Sequence, residues 1–291
     1  MEGAYLVVNG ITVSPPSAGR ATAVGVAGSN NQLVNCTVVN YGATASNQAT
    51  AISLNGAYNL VSGCTVHDLS DIDVFHVFGH DHTIYHCTVY NIHMVNYNLN
   101  HSDIFQTWDN GSPNYNIVVD GCSITNCNCQ FGNTETSSAG RIHDWTFRCN
   151  VFANIEYPFY SGIPRTAFYN NVFDRVGTVF KYAVSLYGIA PRYNSSGDAL
   201  INNVFVNGGG NLDINIHDAG VGAPNSHNNR YSNQGGPYNF TNEGAFDYHL
   251  QRGSVLLSGG SNLGSLFKRD KDGNLEPTYG TWDQGPYNAP F

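Results

Sequence analysis

The densest run of side chains able to do chemistry in this 291-residue chain is Asn100-His101-Ser102-Asp103-Ile104-Phe105-Gln106-Thr107-Trp108. It sets an imidazole, a carboxylate, an amide and an indole close together on one segment. Earlier in the chain, Asp73 and His76 repeat the separation of Asp103 and Gln106. If the two stretches lie on neighbouring parallel strands, their carboxylates stand about one strand spacing apart, ~4.8 Å. Like charges that close push one pKa upward and create a general acid, and about 5 Å is the separation of a retaining glycosidase. The same aspartates, with Asp71, offer hard oxygen ligands suited to Ca²⁺, or serve only to cap turns. Asp103 and His101 are thus catalytic candidates, and Asp73, His76, Gln106 and Trp108 candidate substrate contacts. Asp71, Asp73 and Asp103 form the candidate Ca²⁺ set. Seven histidines crowd between His67 and His101, but their spacing does not make any three converge on zinc, and turn or surface positions suit them better.

What must position these groups is a repeat. NNQLVNCTVVN (30–40) returns as LVSGCTVHD, TIYHCTVYN and VVDGCSITN, and then with Asn for Cys in WTFRCNVFAN, AFYNNVFDR, ALINNVFVN and SHNNRYSN. Aligned, one column reads Cys36, Cys64, Cys87, Cys122, Asn150, Asn171, Asn203, Asn229, and two residues on stand Val38, Val66, Val89, Ile124, Phe152, Phe173, Phe205, Tyr231. A third column begins Asn40, Asp68, Asn91, Asn126, Asn154, Arg175, Asn207. A constant phrase at variable intervals implies constant rungs joined by loops of changing length. Each phrase alternates with period two and is rich in β-branched residues, which argues strand. The intervals are too short for propeller blades of ~40 residues. The fold expected is all-β: a single-stranded, right-handed parallel β-helix with Cys and Asn ladders. Coils would occupy residues 1–235, with a C-terminal cap or tail (236–291) packed on the last of them.

A second strand per coil precedes the phrase. Val26, Leu54 and Val77 each stand ten residues before a ladder cysteine. Continued along the chain, this pairing sends Phe75, Phe105, Phe159 and Phe180 inward. It leaves His76, Gln106, Tyr160 and Lys181 outward along one wall. Lys181, on that wall, and Arg165 are candidate bases, and Tyr160 a candidate acid or stacking platform. Residues 1–130 carry eight acids against Arg20 alone, whereas residues 131–192 carry six bases against four acids. Carboxylates of an acidic polysaccharide would favour the second group, with Arg141 among the contacts, and Ca²⁺ would favour the first.

Only 11% of residues are charged and the net charge is −9, which suits a secreted or cell-surface ladder protein and excludes a nucleic-acid binder needing a basic stripe. No apolar run approaches the ~18 residues of a membrane span. MEGAYLVVNGITV lacks a basic start and cleavage site, yet the repeat begins at once, so a leader and cap are expected outside this chain. Of the seven cysteines, four are ladder positions, and Cys129 could bridge Cys149.

These phrases resemble the pectin-lyase-like superfamily over nearly the whole chain. The tail Asp247-Tyr248-His249-Leu250, Gly253-Ser254 and Asp270-Lys271-Asp272-Gly273 is similar to that of bacterial exported β-helix proteins. His101-Ser102-Asp103 with Gln106 is similar to an "HxDxxQ" phrase of carbohydrate-active members. The resemblance implies a polysaccharide partner, and a lyase in which Lys or Arg takes a proton beside a uronate carboxylate, rather than a hydrolase. The alternative is a non-catalytic adhesin or tailspike-like shaft, for which a stacked solenoid needs no active site.

Overall fold

The computed structural model describes residues 1–14, 22–42, 49–95, 102–134, 140–178, 184–187, 197–208, 214–217 and 225–289. Each coil contributes strands to three rows. The first row runs Thr22–Ser29, Thr50–Ala57, Asp73–Val77, Asp103–Thr107, Gln130–Thr134, Phe159–Ser161, Val184–Tyr187, Ile214–His217. The second includes Gln32–Val34, Leu60–Ser62, Thr83–Tyr85, Asn114–Asp120, Ile142–Arg148 and Ala167–Tyr169. The third is an eight-stranded sheet from Thr12–Val13 to Val204–Val206. Successive coils pair in parallel throughout these rows. Among the described strands, Phe240–Asn242 with Asp247–Leu250 is the antiparallel pair. No helix among the described residues is long and apolar enough to cross a membrane.

The columns read from the sequence are the registers of the structure. Val38 pairs Val66, Val66 pairs Val89, and the line continues through Ile124, Phe152 and Phe173 to Phe205. Stacking makes a core of like on like: Phe173–Phe205 and Phe205–Tyr231 lie face to face, their centroids 4.8 and 5.5 Å apart. The third column is the bend of each coil. Asn40, Asp68, Asn91, Asn126, Asn154, Arg175 and Asn207 all have φ between 51° and 56°, the left-handed region that Asn and Asp tolerate best.

The Cys/Asn column is buried. Asn150, Asn171 and Asn203 each donate both their backbone N–H and their side-chain amide to the Oδ1 of the next asparagine, at 2.9–3.0 Å. The second amide hydrogen goes to a carbonyl of the coil before, as from Asn171 to Phe147 O. Every polar atom is therefore met, where an orphaned one would cost about 1–3 kcal/mol. All seven cysteines are free and buried, so Cys129 and Cys149 are not bridged.

Glycine marks one corner. At Gly28, Gly56 and Gly79, φ is 94–98°, and a Cβ would fall within 2.0 Å of the carbonyl oxygen of Gly3, Gly28 or Gly56 beneath. That line ends at Asn114, the partner of Gly79, where residues 108–113 leave the regular coil.

The tail lies partly against the turns that precede the ladder and partly on the third row, where Tyr248, Leu250 and Leu256 cluster with Val172 and Val204. Asn228 O accepts from Gln284, Asn202 donates to Ser261 O, and Asn170 donates to Asp283 O and Gly285 O. Arg148 donates to Leu266 O, and the Lys271 ammonium reaches Gly121 O. Tyr248 Oη donates to the buried Asp174 at 2.5 Å.

Candidate functional site

The site is built on two adjacent first-row strands, Asp73–Val77 and Asp103–Thr107, in which every residue is buried. Phe75 pairs Phe105 and His76 pairs Gln106. The two phenyl rings stack in the core with centroids 5.5 Å apart, which locks the register and brings His76 and Gln106 together on the alternate row. That row reads Ser53, His76, Gln106, Asn133, Tyr160, Ser185, Asn215.

Asp73 is 1% exposed and organises the pair. One carboxylate oxygen sits 2.7 Å from His76 Nε2, and the other accepts the Asp103 backbone N–H at 2.8 Å. Facing a carboxylate, Nε2 carries the proton, which leaves Nδ1 as a lone-pair acceptor. Among the described residues Nδ1 has no hydrogen-bond partner. The ring stands edge-on to Trp108, centroids 5.2 Å apart, and to Phe78 at 6.2 Å. Gln106 Oε1 and Ser102 Oγ are buried and unpartnered among the described residues. Trp108 is held by its loop's anchor: Asn114 donates to Val77 O at 2.7 Å and Thr107 Oγ1 at 2.6 Å, and accepts from Trp145 Nε1.

The sequence set Asp73 beside Asp103 and His76 beside Gln106; the register pairs His76 with Gln106, the Asp103 N–H donates to Asp73, and Trp108 comes in from its loop against His76. Their roles change. Asp103 is fully buried, and both Asp73 oxygens are turned to protein donors, so neither carboxyl is placed to protonate a glycosidic oxygen. The paired-acid arrangement expected of a retaining glycosidase is therefore not formed. Nor do Asp71, Asp73 and Asp103 make a Ca²⁺ cradle. Asp71 caps the Val95 N–H at 2.8 Å, and among the described residues no three His, Cys, Asp or Glu side chains could share a metal ion.

Other candidates fall elsewhere. The strand after Tyr160 sets Ser185, not Lys181, beside it, and Val184, not Phe180, beside Phe159. Lys181 and His101 themselves lie outside the described residues. Tyr160 is two coils beyond Gln106 along the row. Arg165 is clamped bidentately to Asp144 at 2.5 and 2.9 Å. Hydrogen bonding by Asp144 in turn raises the Arg165 pKa above its ordinary value. A guanidinium more firmly charged than usual is not a base. Arg141 stands at the rim of the Trp108 loop in an exposed pair with Asp109 at 3.2 Å. Asn114 and Phe78 were missed. A signal for Asn114 existed, since it is the residue that ends the glycine line.

No protein-family model matches the chain, and no curated protein matches it. Among solved structures it is similar to the crystal structure of pectate lyase Pel9A, with TM-score 0.63 and 14% identity over 99% of this chain and 72% of that one. This chain has a parallel β-helix fold. The right-handed parallel β-helix expected from the repeat is what folds. Two further structures match less closely. A Bacillus pectate lyase in complex with trigalacturonate has TM-score 0.45 and 14% identity, covering 72% of this chain and 82% of that one. The A-module of Azotobacter vinelandii mannuronan C-5 epimerase AlgE6 has TM-score 0.42 and 11% identity, covering 79% and 82%. At such identities the likeness is one of fold, and chemistry has to come from this chain's own side chains.

Proposed function

We propose that this parallel β-helix protein is an exported enzyme that binds an acidic polysaccharide across the His76–Gln106 face and cleaves it by β-elimination. The observation that carries this is the Asp73–His76 dyad, buried against Trp108, with Gln106 one coil away. In such an elimination His76 Nδ1 takes the proton on the carbon α to a uronate carboxylate. The electron pair forms the carbon–carbon double bond, and the glycosidic oxygen leaves the β carbon, to be protonated by the imidazolium or by water. Asp73 fixes the ring and tautomer and stabilises the imidazolium as it forms. Gln106 offers its amide to the substrate. Arg141, whose exposed pair with Asp109 is worth little, is free to exchange that partner for a uronate carboxylate. Elimination is favoured over hydrolysis because it needs one base and no pair of accessible acids.

The test is incubation with uronate polysaccharides, with ultraviolet detection of unsaturated ends beside a reducing-sugar assay. Unsaturated product is expected, and His76→Ala should lower its rate by roughly 10²–10⁴. Undiminished elimination by folded His76→Ala would remove the proposed base. Reducing ends without unsaturation would make the enzyme a hydrolase. Saturable binding with no product would favour the adhesin.

A further inference from the structure

The tail also forms an open pocket of about 300 Å³. Its two arms are tied by antiparallel bridges at either end, Gly260 with Trp282 and Arg269 with Leu275. The Glu276 N–H also donates to Lys268 O at 2.9 Å. The volume is at the small end of ligand pockets.

What lines it calls for a ligand. Glu276 is only 7% exposed, and its Oε2 has no hydrogen-bond partner among the described residues. Lys268 lines the same cavity, and no described acid pairs with its ammonium. Although their backbones are bonded, the two side chains form no ion pair with each other. A buried carboxyl oxygen left without a partner is costly, so a polar group lodged between it and the Lys268 ammonium would relieve that cost. Burial, then the charges of Asp270 and Asp283, push the Glu276 carboxyl up to about 8. At neutral pH it is mostly a protonated acid, able both to donate to and accept from hydroxyls. Ser265 and Thr278 add hydroxyls, and Trp282 and Leu275 an apolar wall.

We propose that this cavity is a second carbohydrate site that takes a single uronate residue, its carboxylate on Lys268 and its ring hydroxyls on Glu276. It would hold one end of the chain on which the main face acts, and so rests on the acidic-polysaccharide function proposed above.

Trp108 marks the main face and Trp282 the tail cavity, so the indole N–H signals of the isotope-labelled protein separate the two sites. Galacturonate, glucuronate and mannuronate are titrated beside their neutral counterparts. The Trp282 signal should shift saturably with at least one uronate, and about ten-fold more weakly with its neutral sugar. Lys268→Ala should erase that preference. Glu276→Leu should weaken binding about ten-fold while Glu276→Gln, which keeps a donor and an acceptor, largely retains it. Polyuronate shifting Trp108 while no sugar shifts Trp282 would overturn this site and leave the main-face function standing. Shifts at Trp282 alone would uphold the cavity and count against the main face. Silence at both would overturn both, and Trp282 shifts unchanged in both Lys268→Ala and Glu276→Leu would overturn the assigned contacts.

Discussion

The coils that carry Cys36, Cys64, Cys87 and Cys122 and those that carry Asn150, Asn171, Asn203 and Asn229 solve one problem in two ways. In both halves the same column must satisfy a backbone N–H inside the core. In the first half that N–H points at a sulfur, 3.4 Å away from Cys36 N to Cys64 and from Cys87 N to Cys122. The thiol passes its own hydrogen to a carbonyl at 3.5–3.6 Å. These are weak bonds, and the cysteine acts chiefly as a small apolar residue. In the second half each amide makes the bonds at full strength, and the strip of turns beside it is also where part of the tail is anchored. The changeover is a single bond, from Cys122 N to Asn150 Oδ1 at 2.8 Å. The candidate site lies in the cysteine half, where Asp73 takes the first-row place that Thr50 holds one coil before. Because a solenoid's stability is a sum of neighbouring terms, the two halves should respond differently to the same insult.

The strongest test is Asn171→Ala. It removes the acceptor of both Asn150 donors and orphans amides in the core, and should cost on the order of 3 kcal/mol. Denaturant unfolding measures the loss, and hydrogen exchange should show it centred on the asparagine coils. Cys87→Ala removes weaker bonds and a little volume, and should cost roughly 1 kcal/mol. If the two losses match, the ladders are equivalent and the contrast fails. The smallest effect concerns His82, which continues a second wire. Asn31 N donates to Asn59 Oδ1, and Asn59 N to His82 Nδ1 at 3.1 Å. Desolvation by burial is the main reason its pKa falls to about 4 from 6.5. The depressed value means its contribution is complete above pH 6.5 and is lost as pH falls towards 4. His82→Asn, which keeps an acceptor for the Asn59 N–H, removes the titrating ring at a cost, at neutral pH, smaller than that of Asn171→Ala. It should also flatten the acid side of the melting-temperature profile between those two pH values. An unchanged acid limb would mean that His82 is not the group that titrates.

Much of this was legible because a solenoid writes its tertiary contacts into its sequence period. Cys64 predicts Cys87, and Val66 predicts Val89. The pairing of Phe75 with Phe105, and so of His76 with Gln106, could be read from spacing alone. The same device fails where loops change length. Nothing local tells whether Phe180 or Val184 continues the row from Phe159, and choosing Phe180 moved Lys181 into a place that Ser185 holds.

The residue columns alone determined the fold and the pairing of His76 with Gln106, since identical side chains stack only if the coils do. Tertiary structure decided what these groups are able to do. Burial and bond direction turned Asp73 from an acid into the holder of an imidazole and withdrew Asp103 from solvent. The path of the tail, which no period encodes, set Glu276 opposite Lys268. Those outcomes depend on which atoms a neighbouring coil or arm presents, and that is a property of distance, which a period cannot carry.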